Sequence, residues 1–225
     1  MKESSVPILA EDLLLVLFQP GSGMVAAAGE NTLSHVLGAA VLAELALDAR
    51  LAVTATPDGS AHLEAVEGRA PLDCILRSAW DFAADQPRAV EAMLDAIGPT
   101  LCQPLLERLV ARGDIREENG KALGRLTPTT LKAGESGRRS RLVDELHAVL
   151  VGGISPPPRV VALAGLVWVS GTLHQLDPDV PWSSRVDRRA EELVRRYPGA
   201  EGATPAAAST TAAMMRIITS LLPPS

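Results

Sequence analysis

Apolar residues run almost all the way round two long segments of the chain. The first begins near Asn31 or Thr32, either of which can cap a helix, and it continues to about Asp48. The second follows three consecutive prolines and covers residues 159–176. A helix that is apolar on nearly every face lies in the centre of a protein. The pattern therefore predicts two central helices.

Shorter helical segments flank these two, and proline or glycine marks most of their ends. Pro20 and Gly21 follow the first of them, Gly113 ends another, and Pro71 is expected at the first helical position of a third. The predicted segments are 11–19, 71–84, 89–97, 101–112, 138–151, 186–197 and 210–222, with a loop over 200–209.

Two stretches alternate in polarity and predict β-hairpins. Residues 51–56 and 61–66 flank the turn sequence Pro57-Asp58-Gly59-Ser60, and residues 115–131 contain Asn119-Gly120 as a candidate turn. We therefore predict a mainly α fold, in which central apolar helices are surrounded by amphipathic helices and two small β-hairpins. The length is compatible with a single domain over residues 1–225.

Composition and charge add little to this prediction of the fold. Hydrophobic residues make up 47% of the chain and aromatic residues 3%, so the core must consist of Leu, Val and Ala. The net charge of −6 is unevenly distributed. Residues 1–103 carry five basic and fourteen acidic side chains, which gives −9, and residues 104–225 carry sixteen and thirteen, which gives +3. The basic half either faces phosphates or provides solvated helix surfaces.

No pattern in the sequence predicts catalysis, a metal or a cofactor. The four histidines lack ligand spacing, the two cysteines cannot form a zinc site unaided, and no serine lies in Gly-x-Ser-x-Gly. Asp73, Asp81, Glu91 and Asp95 are expected on solvated helix faces. We therefore predict a protein that is not an enzyme.

The chain also lacks signals for export or membrane insertion. Its N-terminus has no basic start of a signal peptide, and the longest apolar run, residues 160–173, is shorter than the about 20 residues that a spanning helix needs. We expect a cytoplasmic protein whose membrane contact, if it has one, is peripheral and on the inner face.

Basic side chains near the second hairpin are candidates for such a contact. Each Arg or Lys near an anionic lipid surface contributes about 1 kcal/mol. The candidate lipid contacts are Arg125, Lys132, Arg138 and Arg139, and the candidate apolar contacts with a membrane or a second copy are Leu123, Leu126 and Leu131. The alternative is that these leucines pack on the domain. A further basic group, formed by Arg185, Arg188, Arg189, Arg195 and Arg196, is interleaved with acidic residues and is typical of an exposed helix.

Residues 105–131 also permit a winged-helix interpretation. A helix, a glycine and two strands that end in Leu-Thr-Pro resemble the wing half of many DNA-binding domains, with Arg108 and Arg112 on the candidate recognition helix. The overall acidity weakens attraction to DNA, so we expect no nucleic acid partner. A structural or interaction module without a lipid ligand is the other alternative.

Several motifs, taken in order, resemble the Golgi phosphoprotein 3 family, and specifically its bacterial, actinobacterial-type branch. They are Ala10-Glu11-Asp12-Leu13-Leu14-Leu15, Leu42-Ala43-Glu44-Leu45-Ala46-Leu47-Asp48-Ala49-Arg50-Leu51, Pro71-Leu72-Asp73, Leu109-Val110-Ala111-Arg112-Gly113-Asp114-Ile115 and Leu150-Val151-Gly152-Gly153. The resemblance is strongest over residues 8–176. It implies a mostly helical fold and a non-enzymatic adaptor on a membrane surface. The second hairpin would serve self-association or membrane contact, as in eukaryotic relatives.

The resemblance also implies that the known lipid site has changed. Eukaryotic members bind phosphatidylinositol 4-phosphate through one Trp and three Arg, and these positions correspond here to Gly29, Gly38, Pro99 and Cys102. None of these residues offers a guanidinium to a phosphate. We therefore expect that the eukaryotic headgroup-binding residues are not retained, and that any bound lipid uses other arginines.

Overall fold

A computed structural model describes residues 6–26, 30–55, 61–118, 121–122, 125–126, 130–154 and 156–195. Most of these residues are helical. The helices are α1 (Leu9–Leu17), α2 (Glu30–Leu47), α3 (Cys74–Asp85), α4 (Val90–Ile97), α5 (Cys102–Ala111), α6 (Arg138–Leu150), α7 (Pro158–Val169) and α8 (Ser184–Arg195). Short 3₁₀ helices cover Gly98–Thr100 and Leu173–Leu176. The prediction of a mainly α fold with small hairpins is confirmed.

Three helices form the centre of the molecule. Every residue of α1 is buried, as is every residue of α7 from Val160 to Val169, and α2 packs against both. α5 and α6 also contact α1. The two helices predicted to be central are α2 and α7, and the short α1 joins them. This arrangement places the first turn of α1 where α2, α5, α6 and α7 converge.

Short antiparallel strands lie at the edges. β1 (Phe18–Gln19) pairs with β2 (Met24–Val25), and β3 (Leu51–Ala55) pairs with β4 (Ala61–Ala65), which also pairs with β5 (Arg88–Ala89). In the second hairpin, β6 (Ile115–Glu118) pairs with β9 (Thr130–Ala133), and β7 (Lys121–Ala122) pairs with β8 (Arg125–Leu126). Both predicted hairpins are thus present.

Two predicted turns lie outside the described residues, namely Pro57-Asp58-Gly59-Ser60 and Asn119-Gly120. In the second hairpin, Lys121 pairs with Leu126 and Ala122 pairs with Arg125. The predicted loop over 200–209 and helix over 210–222 also lie outside the described residues.

Two helix boundaries differ from the sequence prediction for identifiable reasons. α3 begins at Cys74 and not at Pro71, because the Asp73 side chain caps it by accepting the backbone N–H groups of Ile75 and Leu76. α7 ends at Val169 rather than continuing to residue 176. Gly171 follows with a φ of 71°, a left-handed conformation that stops a helix.

Within the described ranges, no helix combines the length and the apolar character needed to cross a bilayer.

Candidate functional site

The first turn of α1 lies in a cluster of buried, ion-paired side chains that we call the ionic network. Five carboxylates and four guanidiniums take part in it. The carboxylates belong to Glu11, Asp12, Glu44, Asp73 and Asp114, and the guanidiniums to Arg108, Arg112, Arg138 and Arg159. The network connects α1 with α2, α5, α6, α7 and the start of α3.

Glu11 and Asp12 are the centre of the network. Glu11 is 0% exposed and accepts hydrogen bonds from Arg108 Nη1 at 3.2 Å and from Arg112 Nε at 2.9 Å. Asp12 is 6% exposed and accepts from Arg138 Nε at 3.1 Å and from Arg159 Nη2 at 2.7 Å. Both acids lie in the first helical turn, where the helix dipole also favours negative charge. Each is therefore held by two arginines from other helices.

Glu44 joins the network from α2 and pairs with Arg159. Its carboxylate accepts from Arg159 Nη1 at 2.6 Å and from the backbone N–H of Leu9 at 2.6 Å. Burial raises the pKa of Glu44, and the nearby Arg159 only partly offsets this effect. Burial by itself would lower the pKa of Arg159, but Glu44 and Asp12 raise it above the usual range.

Asp73 and Arg108 extend the network to α3. Asp73 caps that helix and also accepts a hydrogen bond from Arg108 Nη1 at 2.7 Å. Burial alone would lower the pKa of Arg108, but its bonds to Asp73 and Glu11 raise it above the usual range. The prediction that Asp73 lies on a solvated helix face is therefore wrong, because the guanidinium of α5 covers it.

The network does not have the features of a catalytic site. Each of its acids is bonded to a guanidinium, and no histidine belongs to it. Across the described ranges, no group of three or more His, Cys, Asp or Glu side chains could hold a metal ion. The arrangement joins helices and leaves no carboxylate open to a substrate.

Sequence reasoning missed this network, although a signal for it was present. Glu11, Asp12 and Glu44 lie inside strongly apolar helical segments. A charge on a buried helix must have a partner, since an unpaired buried charge is too costly to retain. The positions of the partner arginines depend on tertiary packing and could not be predicted.

A second group of arginines forms a cleft between α8 and the end of α6. This arginine cleft has a volume of about 620 Å³ and is lined by Leu150, Val151, Gly153, Arg185, Arg188, Arg189 and Glu192. Among the residues that the structure describes, none of its three guanidiniums lies within 4.0 Å of a carboxylate. The Nε of Arg189 is buried and has no hydrogen-bond partner there. This cleft has the properties expected of an anion site.

Apolar side chains are exposed beside the arginine cleft. Val151 lines the cleft and is 39% exposed, and Ile154, three residues further along the same loop, is 60% exposed. The loop follows α6 directly, and Gly153 has a φ of 70°. The combination of exposed aliphatic groups and unpaired arginines is typical of surfaces that lie on anionic lipid.

The basic residues predicted to contact lipid have different environments. Arg138 is 12% exposed on its side chain and belongs to the ionic network, with Nη1 at 2.6 Å from Asp114. It is therefore not available to a headgroup. Arg139 donates its Nε to the Phe18 carbonyl at 3.1 Å, and its Nη1 lies 3.6 Å from Asp179. Lys132 is half-buried on β9, opposite Arg116 on β6.

The residues of the second hairpin are only partly described. Arg125 and Leu126 form β8, and Leu123 lies outside the described residues. Leu131 is half-buried and packs against the hydrophobic core. A Cβ at Gly23 would lie 2.4 Å from the Leu131 carbonyl oxygen, so β9 passes close to the β1–β2 turn. Leu131 therefore fits the alternative that the hairpin leucines pack on the domain.

Of the positions aligned with the eukaryotic lipid site, Gly38 lies on α2, Pro99 in the first 3₁₀ helix and Cys102 at the start of α5. A Cβ at Gly38 would lie 3.2 Å from Leu94 Cδ2, so this position has no room for a long side chain without rearrangement. Pro99 is exposed, and Cys102 is half-buried with a pKa raised by burial. Gly29 lies outside the described residues. No guanidinium occupies the described positions of this set.

The winged-helix interpretation required free arginines on α5. Arg108 and Arg112 instead bond to acidic groups of the ionic network. Their guanidiniums are directed toward α1 and the start of α3, and not toward a nucleic acid. The geometry of this helix therefore does not favour contact with DNA.

Comparison with known proteins agrees with the fold. A search of curated proteins returned no match. The family model described as Golgi phosphoprotein 3 (GPP34) matches residues 9–216, which is most of the 225-residue chain. That range includes the ionic network, both predicted hairpins and the arginine cleft. The chain therefore belongs to the Golgi phosphoprotein 3 (GPP34) family.

Proposed function

We propose that this protein is a non-enzymatic adaptor that associates peripherally with anionic membranes, and that the arginine cleft is its main contact with phosphate-bearing headgroups. The observation that carries the proposal is the group of three guanidiniums without a carboxylate partner in the described part of the chain. Because arginine pairs with phosphate through two parallel hydrogen bonds, such a cleft suits a phosphate ester.

The surroundings of the cleft support a membrane as the source of that phosphate. Arg185 and Arg188 are exposed at its rim, and the exposed Val151 and Ile154 lie on the neighbouring loop. Aliphatic side chains enter the interfacial region of a bilayer while arginines remain at headgroup level. An anionic surface attracts each such arginine by about 1 kcal/mol. The half-buried Arg189 then has a role in orienting a phosphate within the cleft.

The second hairpin is proposed as a subsidiary contact. Arg125, Lys132 and Arg139 remain candidates for lipid, and Leu123 and Leu126 for a membrane or a second copy of the chain. Arg138 is no longer included, because its partners are Asp12 and Asp114. Self-association through the hairpin predicts a mass in light scattering that falls when Leu126 is replaced by Asp, whereas an unchanged mass would exclude this contact.

Vesicle co-sedimentation tests the membrane contact. Purified protein is mixed at low salt with phosphatidylcholine vesicles that contain increasing fractions of phosphatidylglycerol. We expect sedimentation to increase with the anionic fraction and to decrease with added salt, since surface charges are screened. No sedimentation with the anionic vesicles would contradict the membrane proposal.

Matched variants locate the contact. The double variant R185A/R188A removes two guanidiniums of the cleft, which at about 1 kcal/mol each corresponds to roughly 30-fold weaker binding. The control R77A/R195A removes the same charge from two exposed ion pairs outside the cleft, Arg77–Asp81 and Arg195–Glu191. Equal binding by the two double variants would contradict the assignment to the cleft. A loss confined to R125A/K132A would place the contact on the hairpin instead.

A further inference from the structure

A second cleft lies on the other side of the start of α8. Its lining comes from the end of α7, from the loop that carries the second 3₁₀ helix, and from α8. This tryptophan cleft has a volume of about 460 Å³ and is lined mainly by Trp168, Leu173, His174, Asp177, Trp182 and Asp187. It is separate from the arginine cleft and shares no lining residue with it.

Aromatic side chains are concentrated here in a chain that has few of them. Aromatic residues make up 3% of the sequence, and two of the three tryptophans line this one cleft. Trp182 is 49% exposed, and the ring of His174 meets it edge-on with centroids 6.5 Å apart at 72°. The third tryptophan, Trp80, donates its indole N–H to the Arg50 carbonyl at 3.1 Å. Among the described residues, the indole N–H of the half-exposed Trp182 makes no such hydrogen bond.

The charge of the cleft is negative. Asp187 accepts the indole N–H of Trp168 at 2.9 Å, and Asp177 accepts the backbone N–H of Trp182 at 3.1 Å. Neither carboxylate has an ion pair within the described ranges, and no Lys or Arg lines the cleft. Each aspartate has a second carboxylate oxygen without a hydrogen-bond partner among the described residues. The first hydrogen bond holds the Trp168 indole beside Asp187, and the second holds the backbone of Trp182 beside Asp177.

We propose that the tryptophan cleft binds an organic ammonium cation, with a quaternary trimethylammonium group as the best fit. A tryptophan ring attracts a cation through its π face. Two carboxylates add an attraction that an anion would not experience. The volume of the cleft falls within the range of small-molecule sites. The trimethylammonium group comes either from free choline or from a choline lipid headgroup.

Nuclear magnetic resonance of the choline methyl protons provides a direct test. Choline chloride is titrated with the full-length protein at constant ionic strength, and saturation transfer to the methyl protons reports binding without relying on tryptophan fluorescence. We expect saturable binding to the wild type. We expect W182A and D177N each to bind about 5-fold more weakly or worse, while W80F, which changes the tryptophan outside the cleft, leaves binding unchanged. Far-UV circular dichroism verifies that each variant is folded.

Three results would overturn the proposal. They are the absence of saturable choline binding up to 50 mM, equal binding by W182A and the wild type, and equal loss in W80F and W182A. To identify the source, the same variants are sedimented with pure phosphatidylcholine vesicles. A loss of sedimentation in W182A assigns the cleft to the lipid headgroup. Choline binding without sedimentation assigns it to the free cation. R185A/R188A is expected to retain choline binding, so this result is independent of the arginine cleft.

Discussion

Asp12 should contribute more to stability than any exposed acid, and the variant Asp12→Ala tests this. Its side chain is 8% exposed, and its carboxylate accepts hydrogen bonds from Arg138 Nε at 3.1 Å, Arg159 Nη2 at 2.7 Å and Arg159 Nε at 3.2 Å. Truncation leaves the largely buried guanidinium of Arg138 and the partly exposed one of Arg159 with fewer partners. Removal of one member of a buried ion pair costs about 3–5 kcal/mol.

The structure places the expected loss at the lower end of this range. Arg138 retains Asp114 and Arg159 retains Glu44, so neither guanidinium is left without a carboxylate. We therefore expect a decrease of about 3 kcal/mol in the free energy of unfolding, which lowers the Tm by roughly 6–12 °C in a chain of this size. The variant should still fold, since domains of this kind have a stability of about 5–15 kcal/mol.

Urea unfolding, followed by circular dichroism, measures the effect. The matched control is Asp81→Ala, which removes an acid that is 54% exposed and lies 2.8 Å from Arg77 one helical turn away. An exposed pair of this kind contributes below about 0.5 kcal/mol. The effect of D12A should persist in 1 M NaCl, because buried pairs are weakly screened. A loss in D12A below about 1 kcal/mol, or equal to that of D81A, would refute this account of the network.

Three further predictions concern protonation, thiol reactivity and backbone conformation. Because the pKa of Glu44 is raised above its usual 4.5, its contribution to stability is present below about pH 4.5 and is lost as the pH rises through the folded value. The stability advantage of the wild type over E44Q should therefore shrink from pH 4 to pH 7 in urea titrations, and an advantage that grows would contradict this sign. The exposed Cys74 should react faster with a disulfide reagent than the half-buried Cys102, whose pKa is raised by burial, and C74S and C102S separate the two rates. G23A should lose more than about 1 kcal/mol in thermal unfolding, because its φ is 71° and the new Cβ would lie 2.4 Å from the Leu131 oxygen. G68A shares a φ of 72° but meets no atom within 4 Å, so an equal loss in both would exclude the contact as the cause.

The elements of the fold could be predicted because they depend on local patterns. The all-apolar character of α2 and α7 indicated central helices, and the alternation around β3 and β4 indicated a hairpin. Errors occurred where a side chain or a single dihedral angle decides a boundary. The cap provided by Asp73 moved the start of α3, and the left-handed Gly171 follows the early end of α7.

The functional surfaces were less accessible to prediction, because they depend on residues far apart in the chain. The sequence shows a basic group on α8, and its interleaved acidic residues predicted an exposed helix with ion pairs within the helix. In the structure Arg195 does pair with Glu191, whereas Arg185 and Arg188 line a cleft with Val151. For Arg138 the error was the reverse. This residue was expected to face lipid, but it is bonded to Asp12, which lies 126 positions away in the chain. Local spacing predicts which face of a helix is buried, but it does not identify the distant element that this face meets.

The sequence by itself determined the family, the helical content and the positions of the hairpins, because periodicity and turn residues act within a few positions of the chain. It also determined that the aligned positions Gly38, Pro99 and Cys102 carry no guanidinium. Only the tertiary structure decided which charges are paired. The ionic network joins side chains from five helices and a cap, and burial makes each pairing obligatory. The same packing placed three arginines and two tryptophans around two clefts beside α8, where binding can be tested.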